Sequence, residues 1–600
     1  MATKSKLTGG AFLLEKTDTT DVFIPEEFTE EQLMISASVK EFMLKEVHGL
    51  GVERVAGLDA EKDKDLVMEI FHKASALGFC GVSVDEQYGG MGLDFNTSLL
   101  FTENLSLGFS FATTIGCQTS IGSLPIVWYG TDAQKAKYLP GIASGEKGCS
   151  YCLTEPGSGS DANSAKSRAV LNAEGTHYIL NGQKMWITNG GFAEVFTVFA
   201  KIEGDDKLSA FIVEKNFGGI SLGKEEKKMG IKASSTVQVF FNNTPIPKEN
   251  LLGERGKGFN MALNILNSGR IKIAAGGTGG MKYGLERAVE YTTTRIQFQK
   301  PISDFGTIKQ KLGIIAANTF AIESGVYRIG ADVDKKHDEL LKAGSGGNDA
   351  KINSMREYAI ECAVLKVAGS EAVCATADEA IQMFGGMGYS QEMGVEMAYR
   401  DARITKIYEG TNEINRMLCL AEFYKRAFVT KELNIKSASK SVPSAILQNF
   451  NPFRSGFLSE EFMFVNNLKS LFLIITGSAG AKLKEKLVDE QEIVMNLADI
   501  LSMAFIAESA LLRVKKLSEK SGTDKAALEI KTKLAQLYLY EALDTARKAA
   551  NNAIDSFASG FTKWMLKRLV HTLLKTYSIN PKAMRREAAN YIIEKKGYYF

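Results

Sequence analysis

Over residues 149–255 the apolar residues alternate in short β-branched and aromatic runs, while on either side they recur at helical spacing. That switch of period restricts the fold more than any other feature. In residues 29–148, Leu66, Ile70, Ala74 and Leu77 mark one helical face, Gly89-Gly90-Met91-Gly92 interrupts as a loop, and Leu139-Pro140-Gly141 closes the last part. The middle block carries Val195-Phe196-Thr197-Val198-Phe199 and Val237-Gln238-Val239-Phe240, punctuated by Asn181-Gly182, Asn189-Gly190 and Asn242-Asn243, which predicts a central antiparallel β domain. Helical spacing returns over 256–428, with Pro301 in a loop between two helices, and this predicts a second helical domain. Residues 429–459 gather Ser, Lys, Asn and Pro as a linker. In 460–600 the stripe Ile493, Leu497, Ile500, Ala504, Ala507 and Leu511 marks an extra helical domain. With residues 1–28 as an N-terminal extension, the expected class is α+β, mainly α.

A chain of 600 residues exceeds a single core. A net charge of +2 with 24% charged and 45% hydrophobic residues argues against disorder and against a protein built around nucleic-acid phosphates. The cysteines at 80, 117, 149, 152, 362, 374 and 419 lack the spacing of a zinc site, and their odd number suits a reducing compartment. No metal is expected. Met1 to Thr20 resembles neither a signal nor a transit peptide. The run Leu471–Ile475 falls far short of the roughly 20 residues that span a bilayer, so a cytoplasmic protein without a transmembrane helix is expected.

Five segments can carry chemistry. In Tyr151-Cys152-Leu153-Thr154-Glu155-Pro156-Gly157-Ser158-Gly159-Ser160-Asp161, glycines permit close backbone approach to a diphosphate and hydroxyls supply donors, although a Gly/Ser turn is equally ordinary. Lys184-Met185-Trp186-Ile187-Thr188 ends a strand, where Trp186 suits either a flavin face or a core. Arg295-Ile296-Gln297-Phe298, with Phe305-Gly306, offers a guanidinium fork for phosphate or a plain surface arginine. Gln382-Met383-Phe384-Gly385-Gly386 is a glycine-rich helix stop. In Ile407-Tyr408-Glu409-Gly410-Thr411, apolar neighbours suit a carboxylate of raised pKa, the base that a weak carbon acid requires; an exposed turn is the alternative.

Taken in order and spacing, these segments resemble the acyl-CoA dehydrogenase family over about residues 30–425. The resemblance implies an N-terminal helical domain, a β domain and a four-helix bundle, with FAD between the last two. It implies FAD-dependent α,β-dehydrogenation of a saturated fatty acyl-CoA to the trans-2-enoyl-CoA, as in fatty acid β-oxidation. Glu409 is the implied base, with the β-hydride passing to flavin N5. The thioester oxygen would be held by the backbone N–H of the glutamate and a ribityl hydroxyl. Tyr151, Cys152, Leu153, Thr154 and Ser160 are placed near the flavin by the same resemblance, and Trp186, Ile187 and Thr188 beside its ring. Arg295, Phe298, Phe305 and Gly306, with Gln382 to Gly386, would contact the FAD of a neighbouring subunit, implying a homodimer. Thr411 and Glu413 match flavin positions, although Asn412-Glu413 departs from the Ser-Gln of some relatives. Ser160, Asn267, Arg270, Tyr408 and Gly410 are implied substrate contacts. A minority of the family carries its base in the segment equivalent to Asn267-Ser268-Gly269-Arg270, which here contains no acid.

The extension beyond 430, together with Lys227 to Ser234, resembles the long and very-long-chain branch. Thr113 and Cys117, beside Gly116, align with pocket-closing polar residues of medium-chain relatives, and their smaller volume predicts a deeper acyl tunnel. Electron-transferring flavoprotein is the implied acceptor. Lys563, Lys567, Arg568, Lys575, Lys582, Arg585, Arg586, Lys595 and Lys596, with Phe450, Phe453 and Phe457, form a basic and apolar face that could meet an inner-membrane surface or simply water. An acyl-CoA oxidase and a non-enzymatic assembly protein are the competing readings on the same fold.

Overall fold

The computed structural model of the chain describes residues 8–435, 443, 446–449 and 455–600. Counting helices of eight residues or more, the N-terminal domain contains α1 (Glu30–Phe42), α2 (Lys64–Ala76), α3 (Phe95–Leu105), α4 (Ser110–Gln118) and α5 (Asp132–Ala143). Thr29 begins α1 with a capping box closed by Gln32, and Thr131 does the same for α5 with Gln134. On α2 the buried face is Val67, Ile70, Phe71 and Ala74. Leu77 follows the helix and is exposed, because Gly78 turns the chain there with φ 79°. Pro140 does not end α5, which runs on to Ala143.

The middle domain is one eight-stranded sheet, β1 (Cys149–Cys152) to β8 (Leu251–Leu252), ordered β6-β7-β3-β2-β4-β5-β8 with β1 also on β4. The long strands are β3 (His177–Thr188), β4 (Val195–Ile202), β5 (Leu208–Glu214) and β7 (Thr236–Pro247), with the short β6 (Ile220–Leu222) at one edge. Pairings are antiparallel except that β4 takes β1 and β2 (Arg168–Leu171) in parallel, making the sheet mixed. Since β5 occupies the other edge of β4 along its length, β1 and β2 follow one another along the same edge. Asn181-Gly182 and Asn242-Asn243 are not turns. They lie opposite one another in β3 and β7 at a register shift, where Asn243 N–H donates to Asn181 Oδ1 at 2.8 Å.

The bundle contains α6 (Gly258–Thr294), α7 (Gly306–Lys342), α9 (Ala359–Phe384) and α11 (Asn412–Tyr424), with α8 (Gly347–Glu357) and α10 (Val395–Ala402) in its connections. Helices α6 and α9 run in the same direction. Gly277 lies against Gly369, Gly284 against Thr376, and Tyr291 stacks on Phe384 with ring centroids 4.1 Å apart. Pro301 sits in a two-stranded hairpin of Ile296–Gln297 with Lys300–Pro301.

The extension adds α12 (Ser459–Leu483), α13 (Gln491–Glu519), α14 (Lys525–Phe557), α15 (Gly560–Leu573) and α16 (Pro581–Lys595), with α13 and α14 packed on α7. The whole α13 stripe from Ile493 to Leu511 is buried as its spacing predicts. Buried ion pairs fasten the extension to the bundle, Arg513 to Glu323 at 2.6 Å and Arg328 to Glu508 at 3.2 Å. The N-terminal segment straps across both, with Arg513 also pairing Glu26 at 2.9 Å and Phe12 meeting Phe505 edge to face. By length and composition, 459–488 is apolar enough to cross a membrane, which the short run Leu471–Ile475 alone concealed. Its most apolar window is 67% buried inside the protein, the position of a core helix. The expected linker, with Phe450 and Phe453, lies largely outside the described residues.

Candidate active site

After α10 the chain passes a short turn, Arg403–Lys406, and reverses direction before α11, which Thr411 caps by accepting from Ile414 N–H. In that reversal Glu409 and Gly410 both take left-handed backbone, with φ 57° and 84°. For a glutamate this costs about 1–2 kcal/mol and persists only where neighbours hold it. They hold it by its carbonyls. Arg270 Nε donates to Glu409 O at 3.2 Å, Asn415 Nδ2 to Gly410 O at 2.7 Å and to Thr411 O at 3.0 Å, and Lys366 Nζ to Gly410 O at 2.7 Å. Lys366 also bonds Asn412 Oδ1 at 2.8 Å, while Asn267 Oδ1 accepts from Arg270 Nη1 at 2.6 Å.

The turn aims the Glu409 carboxylate at α6, where Gly269 receives it. A Cβ at Gly269 would stand 2.8 Å from Glu409 Cδ, so only glycine leaves the carboxylate its place. Burial pushes Glu409 up to about 7, against the opposing pull of Arg270 and Lys366. Both cations are engaged with the backbone of the turn, and Glu409 Oε2 has no hydrogen-bond partner. Lys366 is itself lowered to about 8, chiefly by burial. The arrangement therefore presents a carboxylate that can accept a proton near neutral pH and is anchored at its main chain alone.

Glu409 and Tyr408 lie on the wall of a cavity of about 320 Å³ that follows one face of α6 from Gly269 to Arg287. Thr113, Gly116 and Cys117 line it, as does Thr188 from the end of β3. On the sheet side, a register shift in β3 between Lys184 and Ile187 gives Trp186 a φ of 62° and turns it outward, 52% exposed. Tyr151 faces the helical core with an unpartnered buried hydroxyl, while Cys152 and Ile187 point into the sheet's own core and offer only backbone. A buried ion pair, Lys184 to Glu155 at 2.6 Å, ties β3 to the Gly/Ser loop, and the same carboxylate accepts from Lys166 and Ser167 N–H. Met185 N–H donates to Thr154 O at 3.0 Å. Leu153 and Thr154 are half-buried and Ser160 is exposed. An unpartnered tyrosine hydroxyl, a threonine on the cavity wall and an outward tryptophan fit the edge and face of a planar flavin.

Of the residues expected to bind cofactor, Thr188 alone lines this cavity. Arg295 and Phe298 are exposed on the hairpin, Phe298 at 87%, and Gln382, Gly385 and Gly386 are exposed at the end of α9. Met383 and Phe384 are buried, and Phe305 and Gly306 are half-buried at the start of α7. The Tyr291–Phe384 stack sets these two segments side by side on the surface. Glu413 is exposed on the first turn of α11. Among the described residues, no cluster of three or more His, Cys, Asp or Glu is placed to hold a metal, and all seven cysteines are buried and free.

Sequence reasoning passed over Gly269, Lys366, Asn415 and the Glu155–Lys184 pair. Two signals were present in the sequence: a lysine in the middle of the apolar helix 359–384, and six glycines between 269 and 284 within one helical pattern.

The acyl-CoA dehydrogenase N-terminal domain matches residues 29–146, the middle domain 150–244 and the C-terminal domain 256–423, and a further acyl-CoA dehydrogenase C-terminal domain matches 467–571. A probable acyl-CoA dehydrogenase of Bacillus subtilis (strain 168) is 42% identical over 98% of both chains. The mitochondrial very long-chain specific acyl-CoA dehydrogenase of Rattus norvegicus is 43% identical over 57% of this chain and 51% of its own. The crystal structure of acyl-CoA dehydrogenase complexed with FAD from Bacillus anthracis superposes with a TM-score of 0.93 at 40% identity, covering 99% of this chain and 100% of that one. By these likenesses the chain belongs to the acyl-CoA dehydrogenase family.

Proposed function

We propose that the chain oxidises long-chain fatty acyl-CoA at Cα–Cβ, feeding fatty acid β-oxidation, with Glu409 taking the α-proton. One observation carries this: a buried, unpartnered carboxylate raised to about 7 stands on the wall of a long, mainly apolar cavity. FAD is the cofactor of this family and, when bound, accepts the β-hydrogen as hydride. Tyr151, Thr154, Trp186 and Thr188 are the residues that would hold it against the cavity. The chain's own contribution is to exclude water around Glu409, so that its conjugate acid is weak enough for the carboxylate to take a carbon-bound proton. The Arg270–Asn267 pair and Lys366 keep the turn from rotating that carboxylate away.

The test is anaerobic flavin bleaching by a series of saturated acyl-CoAs, with wild type and Glu409→Gln. Bleaching by palmitoyl-CoA that the variant loses is expected; retention by the variant, or a wild-type preference for butyryl-CoA, refutes the reading. Reoxidation by electron-transferring flavoprotein, rather than rapidly by air, separates dehydrogenase from oxidase. Exposed Arg295, Phe298 and Gln382 support a homodimer in which they meet a neighbour's FAD, testable by sedentation equilibrium.

For the extension we propose a peripheral contact with the inner face of the cytoplasmic membrane. Lys563 and Lys567 already share Asp555, and Arg585 pairs with Glu541, so part of the basic face is neutralised. The support is the outer side of α15, where Phe561, Trp564 and Met565 are exposed beside Arg568. Flotation with anionic vesicles, lost in Phe561→Ser/Trp564→Ser, is the expected result; no flotation of wild type refutes it.

A further inference from the structure

Helix α6 carries an unusual load of glycine, at positions 269, 276, 277, 279, 280 and 284. Each costs about 1 kcal/mol of helix propensity relative to alanine, so the helix retains them against its own stability. They divide by surroundings. At Gly279 a Cβ would lie 2.0 Å from Glu103 O, which explains that glycine by the packing of α3. Gly276 has no such reason, since its Cβ would meet nothing nearer than Ser106 Cβ at 3.8 Å. Gly276, Gly280 and Gly284 all line the cavity that begins at Glu409, but at the last two a Cβ would press on Val373 and Thr376 of α9 at 3.0 and 3.1 Å, so of the three Gly276 alone lacks a packing reason.

Near its Arg287 end this cavity is built differently. His48, Phe109 and Tyr283 form a closed set of rings, with centroids 5.2 Å apart for His48–Phe109, 5.3 Å for His48–Tyr283 and 5.5 Å for Phe109–Tyr283. The His48 ring is fixed by its Nε2 contact with Leu107 O at 2.7 Å. Phe109 is held at φ 48° and ψ −128°, a conformation costly for an aromatic residue and kept where a side chain must point one way.

Resting on the acyl-CoA reading above, we infer that Gly276 keeps the bore of the acyl tunnel open and that the His48–Phe109–Tyr283 rings set its length. A helix rises 1.5 Å per residue, so Gly276 lies about 10 Å and Tyr283 about 21 Å beyond Gly269 along the axis. An extended hydrocarbon chain with bonds of about 1.5 Å and angles near 111° advances about 1.25 Å per carbon. The rings therefore stand roughly seventeen carbons past the α-carbon at Glu409, and Gly276 roughly eight. The tunnel takes straight acyl groups up to about octadecanoyl, and a side chain at 276 would cut it near decanoyl.

The experiment measures kcat/KM of the FAD-loaded, full-length enzyme with octanoyl-, palmitoyl- and tetracosanoyl-CoA. Gly276→Leu should lower the palmitoyl-to-octanoyl ratio at least about 30-fold, within the range that steric exclusion in an apolar pocket provides. Tyr283→Ala should raise the tetracosanoyl-to-palmitoyl ratio about 10-fold. Gly276→Ala, which adds a methyl the site can hold, should shift the first ratio in the same direction by less and serves if the leucine variant does not fold. Ratios unchanged in these variants, with wild-type bleaching intact, overturn the inference alone. If no acyl-CoA of any length bleaches the wild-type flavin, the acyl-CoA reading itself falls and takes this inference with it.

Discussion

Replacing Gly269 by alanine separates catalysis from folding. The added methyl would stand 2.8 Å from Glu409 Cδ, 2.9 Å from Oε2 and 3.1 Å from Oε1, whereas unstrained heavy-atom contacts lie at about 3.5–4.0 Å. Something must retreat by about 0.7–1 Å. The carboxylate is the end of a flexible side chain, while α6 is a 37-residue helix packed along its length, so the carboxylate moves. Misplacing a reacting group by about 1 Å costs on the order of 100-fold in rate, or about 2.7 kcal/mol of transition-state stabilisation. The helix meanwhile gains about 1 kcal/mol from losing a glycine. Stopped-flow bleaching with palmitoyl-CoA should slow about 100-fold while Tm holds or rises. A rate within about threefold of wild type would refute the placement of the base against α6. A loss of more than about 2 kcal/mol of stability would refute the claim that the side chain yields first.

Four further outcomes follow from buried charge. On the proposed role Glu409 acts ionised, and since burial raises it to about 7, kcat/KM should climb with pH through about 7 and level off above about 8. A folded value above the unfolded one of about 4.3 means the stability contribution is present below that pH and lost as pH rises through 7; Glu409→Gln should therefore gain up to about 3 kcal/mol over wild type at pH 8 and little at pH 4. Lys272 is lowered by burial to about 8 and donates only to Thr119 O, at 3.3 Å, among the described residues; its folded value lies below the unfolded 10.4, so the penalty is full below about pH 8. Lys272→Met should raise Tm at pH 7 and by less at pH 10, and equal gains at both would refute this account. Arg513→Met removes the cation that Glu323 and Glu26 share, leaving Glu323 to Lys282 and Glu26 to Lys531, and a cost of up to about 3 kcal/mol in denaturant unfolding is expected; a neutral result would show that the two lysines suffice.

The order of helical, β and helical domains was legible because period is a local property: the Ile493–Leu511 stripe needs only neighbours three and four residues away to declare its buried face. Turn signals were less reliable, since Asn181-Gly182 and Asn242-Asn243 became facing irregularities in two long strands. Whether a glycine ends a strand or only bends it depends on the partner strand, about sixty residues distant. The parallel pairings of β1 and β2 with β4 escaped notice for the same reason. The sequence by itself singled out Glu409 as the proposed base, through the resemblance carried by five spaced segments and the lack of an acid in 267–270. Only the tertiary structure decided what that glutamate can do. Its raised pKa comes from desolvation, its aim from the clearance at Gly269, and its anchoring from Arg270, 139 residues away along the chain. Desolvation and clearance are properties of everything packed around an atom, and packing brings together residues whose sequence neighbours carry no record of the meeting.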